Sequence, residues 1–209
     1  MLFPIFLLIG YFFLFFWWTL GFKALTIFSY SLGKAGPFPR PAPNLVLVNQ
    51  FGENINTNSL KGKYVIMNFI YLNCPSVCHF VSSKVAEVYK NIEKLNKNML
   101  EKLVFITVSF DLERDTTDLL YHYWLHHGAF KEWHIATFMS KIPVMGPNEA
   151  QFIRSKLEKI GVYIFRKPDG QYNHTVYMFL IDTEGEIVNV FDPARDVKDI
   201  VRDIFNIIK

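Results

Sequence analysis

Cys74 and Cys78 are the two cysteines of the sequence, four positions apart in Cys74-Pro75-Ser76-Val77-Cys78. A pair this close staples almost no loop, and two cysteines do not make a disulfide scaffold. What is left to them is metal binding or thiol–disulfide exchange. The pair follows an apolar run over 64–71, and Pro75 suits the first turn of a helix. It is therefore expected at a strand-to-helix junction, where unpaired backbone N–H groups and the helix dipole favour thiolate over thiol. One helical turn between the sulfurs lets both face the same ion, and thiolates select Cu(I) and Zn among the common metals. Two sulfurs leave a shell incomplete, so a metal reading needs a third ligand. An exchange reading does not, although the spacing differs from the usual C-x-x-C.

Six histidines are available as the third ligand. His174, in Asn173-His174-Thr175, stands at the entry to a strand expected over 176–182 and is the candidate best placed to reach the cysteine junction. A loop histidine can equally be a solvated residue. His122 and His126 are four apart on one expected helix, which is metal-ligand spacing and also an ordinary solvated face. His79 adjoins Cys78 and could touch a bound ion or point outward, while His127 and His134 carry no pattern. Met67 and Met178 lie in apolar strands and read as core, so methionine ligation is not invoked for them. A structural zinc site would want four protein ligands, and three good candidates are present. A peroxidase would need one peroxidatic cysteine in a different local setting, which a close pair with a distant histidine does not supply.

The elements that must carry these residues follow from periodicity. Runs 64–71 (YVIMNFIY) and 103–110 (LVFITVSF) are continuous apolar stretches, suited to strands buried on both faces. Shorter strands are expected at 45–49, 133–137, 175–181 and 186–191, the last two joined as a hairpin by Asp182-Thr183-Glu184-Gly185. Helices are expected at 76–97, with Val77, Val81, Val85, Val88, Ile92 and Leu95 at helical spacing, and at 116–127, capped by Asp115 or Thr116. Two more are expected at 148–160 and 197–208. Alternating strands and helices that end in a hairpin and a helix predict an α/β fold: a thioredoxin-like mixed sheet flanked by helices.

Before this domain, residues 1–22 carry no charge, which predicts an N-terminal transmembrane helix with Trp17 and Trp18 near an interface and Lys23 beyond it. No basic residue precedes the run, so an uncleaved anchor fits better than a signal peptide. The expected organisation is an anchor over 1–32, a proline-rich linker over 33–43, and one domain over 44–209. Four prolines in that linker favour extended polyproline II. Lys23, Lys34 and Arg40 give a weak positive-inside vote for a cytoplasmic domain. A net charge of +3 with no Lys/Arg-rich run gives no footing for nucleic-acid binding.

Three segments taken in order resemble one family. Tyr71-Leu72-Asn73-Cys74-Pro75-Ser76-Val77-Cys78 resembles the cysteine motif of the Sco/SenC family. Ser109-Phe110-Asp111-Leu112-Glu113-Arg114-Asp115-Thr116 is similar to its acidic segment. His174-Thr175, followed by Phe179-Leu180-Ile181-Asp182, is similar to its histidine strand. Trp133 with Ala136-Thr137-Phe138 also falls where that family has a Trp-led strand. The resemblance runs over 44–209. It implies a thioredoxin-like domain tethered by one N-terminal helix, with copper bound by Cys74, Cys78 and His174 and Asp111 near the site. Cu(I) suits those donors, and Cu(II) suits them less well. It implies a part in assembling the copper centre of cytochrome c oxidase, with the oxidase's copper-binding subunit as partner and other copper chaperones or thiol reductants as further ones. It places the domain in the periplasm or the mitochondrial intermembrane space, against the charge vote. The alternative activity is that of a thiol–disulfide oxidoreductase that keeps the oxidase's copper-site cysteines reduced, with Cys74 and Cys78 as the exchanging pair. The sequence departs from the family pattern at Ser76, where Asp is usual, and at His79 and Leu112, where Pro is usual. None of the three is an implied ligand.

Overall fold

The computed structural model describes residues 3–22, 24–75, 77–139 and 147–208. Lys23, Ser76 and Met145 lie outside the described residues. Its strands are β1 (Arg40–Pro41), β2 (Val46–Asn49), β3 (Asn54–Asn56), β4 (Tyr64–Ile70), β5 (Leu103–Ser109), β6 (Trp133–Phe138), β7 (Ile164–Arg166), β8 (Tyr172–His174), β9 (Met178–Ile181) and β10 (Glu186–Phe191). Its α-helices are α1 (Phe3–Trp18), α2 (Ile27–Lys34), α3 (Val77–Leu95), α4 (Thr117–His126), α5 (Pro147–Glu158) and α6 (Val197–Ile207).

Among the described residues, eight strands form one sheet in the order β1-β10-β9-β4-β5-β6-β2-β3. At its centre β4 pairs with β5 and β5 with β6 in parallel, while β9, β10, β2 and β3 join antiparallel. The parallel centre is where the continuous apolar runs belong, since both faces are covered. Every residue of β5 is buried, as is β4 beyond Tyr64. Helix α3 buries Val81, Val85, Val88 and Ile92 as its spacing predicts. Its two ends escape: Val77 and Leu95 are exposed. Met67 and Met178 are core, as expected. The mixed α/β architecture, a central sheet flanked by helices, is the expected one.

Three differences from the sequence-based expectation matter for the site. First, the strand expected over 175–181 starts later than expected, and a separate short strand precedes it. Tyr172–His174 is β8 and pairs antiparallel with β7 in a separate two-stranded sheet, and the main-sheet strand β9 starts only at Met178. His174 thus ends a short hairpin rather than opening a sheet strand. Second, the proline-rich run includes β1, where Arg40 and Pro41 pair with Ile187 and Glu186 at the sheet edge. Third, α1 has 16 residues. At about 1.5 Å per residue this falls short of the roughly 30 Å of a bilayer core. Among the described residues no helix is long and apolar enough to cross a membrane.

Candidate metal centre

The carboxyl ends of parallel strands are where open α/β sheets place their ligand crevices. Here the chain leaves β4 at Ile70 and reaches Cys74 within four residues, before α3 begins. The neighbouring strand exit is held against it, since Phe110 N donates to the Ile70 carbonyl at 3.0 Å. Cys74 lies just ahead of the helix, and its Sγ accepts the backbone N–H of Cys78 at 3.3 Å. The sulfur thereby takes one of the N–H groups that a helix start leaves unpaired. Both cysteines are thiols and both are buried.

His174 reaches this junction from the β7–β8 hairpin. Its Nε2 stands 3.4 Å from Cys78 Sγ. Its Nδ1 lies 2.9 Å from the Thr175 carbonyl oxygen. A carbonyl only accepts, so Nδ1 carries the proton and the Nε2 lone pair faces the sulfur. Metal-binding histidines are commonly oriented by such a backbone carbonyl on the other nitrogen. The hairpin is fixed in turn by Thr175: its N–H donates to the Tyr163 carbonyl at 2.9 Å, and its hydroxyl donates to the Gly161 carbonyl at 3.2 Å. The imidazole packs edge-on against Phe110 at 5.0 Å and Tyr71 at 5.8 Å between ring centroids, with Tyr172 against both of those rings. His174 is 4% exposed, so solvent is largely excluded from its ring.

This packing alters the expected ionisation. The Cys78 thiol is pushed well up, first by its hydrogen bond with Cys74 and then by burial. At Cys78 these two effects oppose the favour that a helix start shows to thiolate. Burial likewise pushes the Tyr71 phenol up to about 12, with the nearby Cys74 and Cys78 adding to it. A cation between the sulfurs would reverse that balance by replacing the proton. Soft first-row ions sit roughly 2.0–2.3 Å from imidazole nitrogen and thiolate sulfur. A sulfur and a nitrogen 3.4 Å apart can therefore share one ion.

The two acids after β5 divide the support. Asp111 is buried, pairs with Arg114, and accepts nothing at Oδ1 among the described residues. Asp115 is the positioning residue that sequence reasoning missed. It reads as a helix cap, but Thr116 caps α4, accepting from Leu119 N. Asp115 Oδ2 turns back to accept the N–H of Leu72 at 2.8 Å, two residues before Cys74, and also the Ser109 hydroxyl. Burial raises its carboxyl above the usual range despite those two hydrogen bonds.

The histidines outside the site fall differently from the sequence pattern. His122 does not join His126. Instead His126 and the buried His127 at the end of α4 meet His79 of α3, with His79 Nδ1 and His127 Nε2 3.3 Å apart. Burial, with His126 and His79 adding, lowers His127 to about 4. No local signal marks this group, because α3 and α4 meet only in the fold.

The SCO1/SenC family model matches residues 39–209. The chain is 30% identical over 162 residues to a SCO2-like protein of Rickettsia felis, covering 74% of this chain and 71% of that protein. The copper-bound structure of Bradyrhizobium japonicum ScoI superposes with a TM-score of 0.63 and 26% identity, over 80% of this chain and 99% of that one. The structure of BsSco, described with a disulfide switch and as a member of the Sco family of cytochrome c oxidase assembly proteins, gives a TM-score of 0.66. It is 22% identical, over 82% of this chain and 95% of that one.

Proposed function

The chain belongs to the SCO1/SenC family, and we propose that it binds copper through Cys74, Cys78 and His174 and delivers it to cytochrome c oxidase during assembly. The observation that carries this reading is the 3.4 Å approach of His174 Nε2 to Cys78 Sγ, across 96 residues of sequence. With its other nitrogen held by a backbone carbonyl, the imidazole is oriented as metal-binding histidines are and supplies the third donor that two thiols lack. Copper bound to a relative of the same fold supports the choice of metal, and the family name of another supports the destination.

Cu(I) is the cargo. Two thiolates and one neutral imidazole give three donors, which leaves a face open to a partner's thiolate. Transfer is then ligand exchange: each bond formed to the partner's sulfur releases one to Cys74, Cys78 or His174. No electron moves, and the protons displaced on loading return to the thiols on release. The partner is the oxidase's copper-binding subunit, and other copper chaperones or thiol reductants prepare the site.

The N-terminal helix supports a membrane location. It is apolar on all sides, and its side chains stay exposed, Phe6 at 68% and Leu8 at 69%. A helix hydrophobic all round needs an apolar medium. We place α1 in a membrane, with the domain on the periplasmic or intermembrane-space side.

A thiol–disulfide role remains the second reading, favoured by the sulfur of Cys74 resting on the N–H at the start of α3. His174→Ala separates the two. The expected result is loss of copper binding, from one Cu(I) per chain to near none, with both thiols still titratable. A variant that binds Cu(I) as tightly as the unaltered chain rejects the ligand set. One that binds no copper yet fully supports oxidase assembly rejects delivery through this site.

A further inference from the structure

We propose that His79, His126 and His127 form a second metal site, taking a divalent ion of the kind that prefers imidazole, Zn2+ or Cu2+. The three imidazoles come from two helices, and one ring nitrogen from each lies within 4.8 Å of the others. Nitrogens bound at about 2.0–2.1 Å around one tetrahedral ion stand roughly 3.3–3.5 Å apart. His79 Nδ1 and His127 Nε2 already meet that edge at 3.3 Å. His126 is exposed and is the last residue of α4, so a change of rotamer brings its nitrogen the remaining distance.

Of the other two rings, His127 is buried and His79 is exposed with its ring against Tyr123. His127 is buried, with Tyr123 at 4.5 Å and Trp133 at 6.2 Å between ring centroids. Tyr123 also lies against His79 at 5.4 Å, and its hydroxyl is 2.8 Å from Ser82 Oγ and 3.3 Å from the Cys78 carbonyl. One buried donor, His127, and two exposed ones, His79 and His126, make a site that an ion can enter from the surface and complete. Imidazole suits Zn2+ and Cu2+, and three protein ligands leave the fourth position to water. Because His79 stands where the Sco/SenC pattern has Pro, the cluster is separate from what the resemblance implies. An ion bound here would tie the first turn of α3 to the end of α4, one residue from Cys78.

The test uses the full chain with Cys74→Ser and Cys78→Ser, so that the sulfur site cannot contribute and its failure stays distinct. Zn2+ titration by calorimetry should give one ion per chain. Adding His126→Ala or His79→Ala should each weaken binding at least tenfold, and His122→Ala should change it less than twofold. The same Zn2+ equivalent should bind the unaltered chain already loaded with one equivalent of Cu(I), which keeps the test open if the serine variant folds poorly. Absence of stoichiometric Zn2+ in both forms overturns the proposal. So does binding that His126→Ala leaves unmoved, or binding lost equally with His122→Ala, which would assign the ion to the helical His122/His126 pair.

Discussion

Asp111 and Asp115 sit four residues apart and use their charge differently, and that difference decides what each can do for the proposed copper centre. Asp111 answers Arg114, whose guanidinium also reaches the Gly170 carbonyl at 3.2 Å in the turn of the His174 hairpin. Asp115 answers the backbone of the cysteine loop. In Asp115→Ala the half-buried Leu72 N–H and the buried Ser109 hydroxyl lose their acceptor, at a cost of about 2 kcal/mol. Since Leu72 sets the path into Cys74, Cu(I) affinity should fall about tenfold, as for other groups that orient ligands without touching the metal. Urea denaturation and competition with a Cu(I) chelator check the two parts, and an unchanged affinity would show that the loop holds its place without Asp115. His127 gives a pH prediction. Its value falls from the usual 6.5 to about 4 on folding, so the unfolded chain binds more protons between them. The stability due to its neutral form is fully present above about 6.5 and is lost as pH falls toward 4. With discount for solvent screening, the loss is on the order of 1–2 kcal/mol. In metal-free buffer, His127→Gln should flatten that part of the denaturation midpoint against pH, and a slope unchanged in the variant would assign the loss elsewhere.

At the scale of elements, the edge strand β1 is held by its pairing with β10 and by one side chain. Arg40 is 7% exposed and donates to the carbonyls of Leu32 at 3.3 Å, Gly36 at 2.6 Å and Ile160 at 2.9 Å, with its guanidinium over the Phe38 ring. It thereby ties α2, the proline-rich run and the end of α5 together. Arg40→Ala leaves those carbonyls short of a donor and should cost about 2 kcal/mol. Amide exchange in α2 and β1 should rise while β4 and β5 stay protected; a uniform rise would mean that Arg40 supports the whole fold instead. Sequence could not foretell this, because Arg40 in Pro-Arg-Pro looks like a solvated linker charge until Ile160 is beside it. The β7–β8 hairpin was hidden for another reason. Its strands have three residues each, and β7 leaves both Phe165 and Arg166 exposed, so the alternation is too short to read. A turn signal was there in Pro168-Asp169-Gly170, where Gly170 takes φ +81° and Asp169 Oδ1 accepts from Gln171 N at 2.9 Å. By contrast β4 and β5 were legible because burial on both faces writes an unbroken apolar run.

At the scale of the whole chain, the sequence showed the cysteine junction through local order, strand then Pro75 then helix, but the meeting of residues 78 and 174 needed the family resemblance or the fold. The same scale separates the domain from α1. The domain buries a continuous apolar core and exposes apolar side chains such as Leu95 and Phe165 here and there, whereas α1 leaves Trp17 77% and Trp18 66% exposed in a run of exposed Phe and Leu side chains. Monomers in water seldom carry an apolar patch on that scale. At about 24 Å the helix is shorter than a bilayer core, so in the proposed membrane location it would draw the following residues into the span, thin the lipid or lie in the interface. Each of these puts the two indoles in or near the headgroup region. The full chain should therefore float with liposomes, with its tryptophan emission shifted to the blue and quenched by brominated lipid. Deleting residues 1–22 should abolish flotation. It should leave one Cu(I) per chain and a melting temperature within a few degrees of the parent domain, since α2 and Arg40 remain. If the intact chain stays in the aqueous fraction without detergent, α1 is covered by protein instead of lipid. If the shortened chain loses copper, the domain and its helix are not the independent units that their exposure describes.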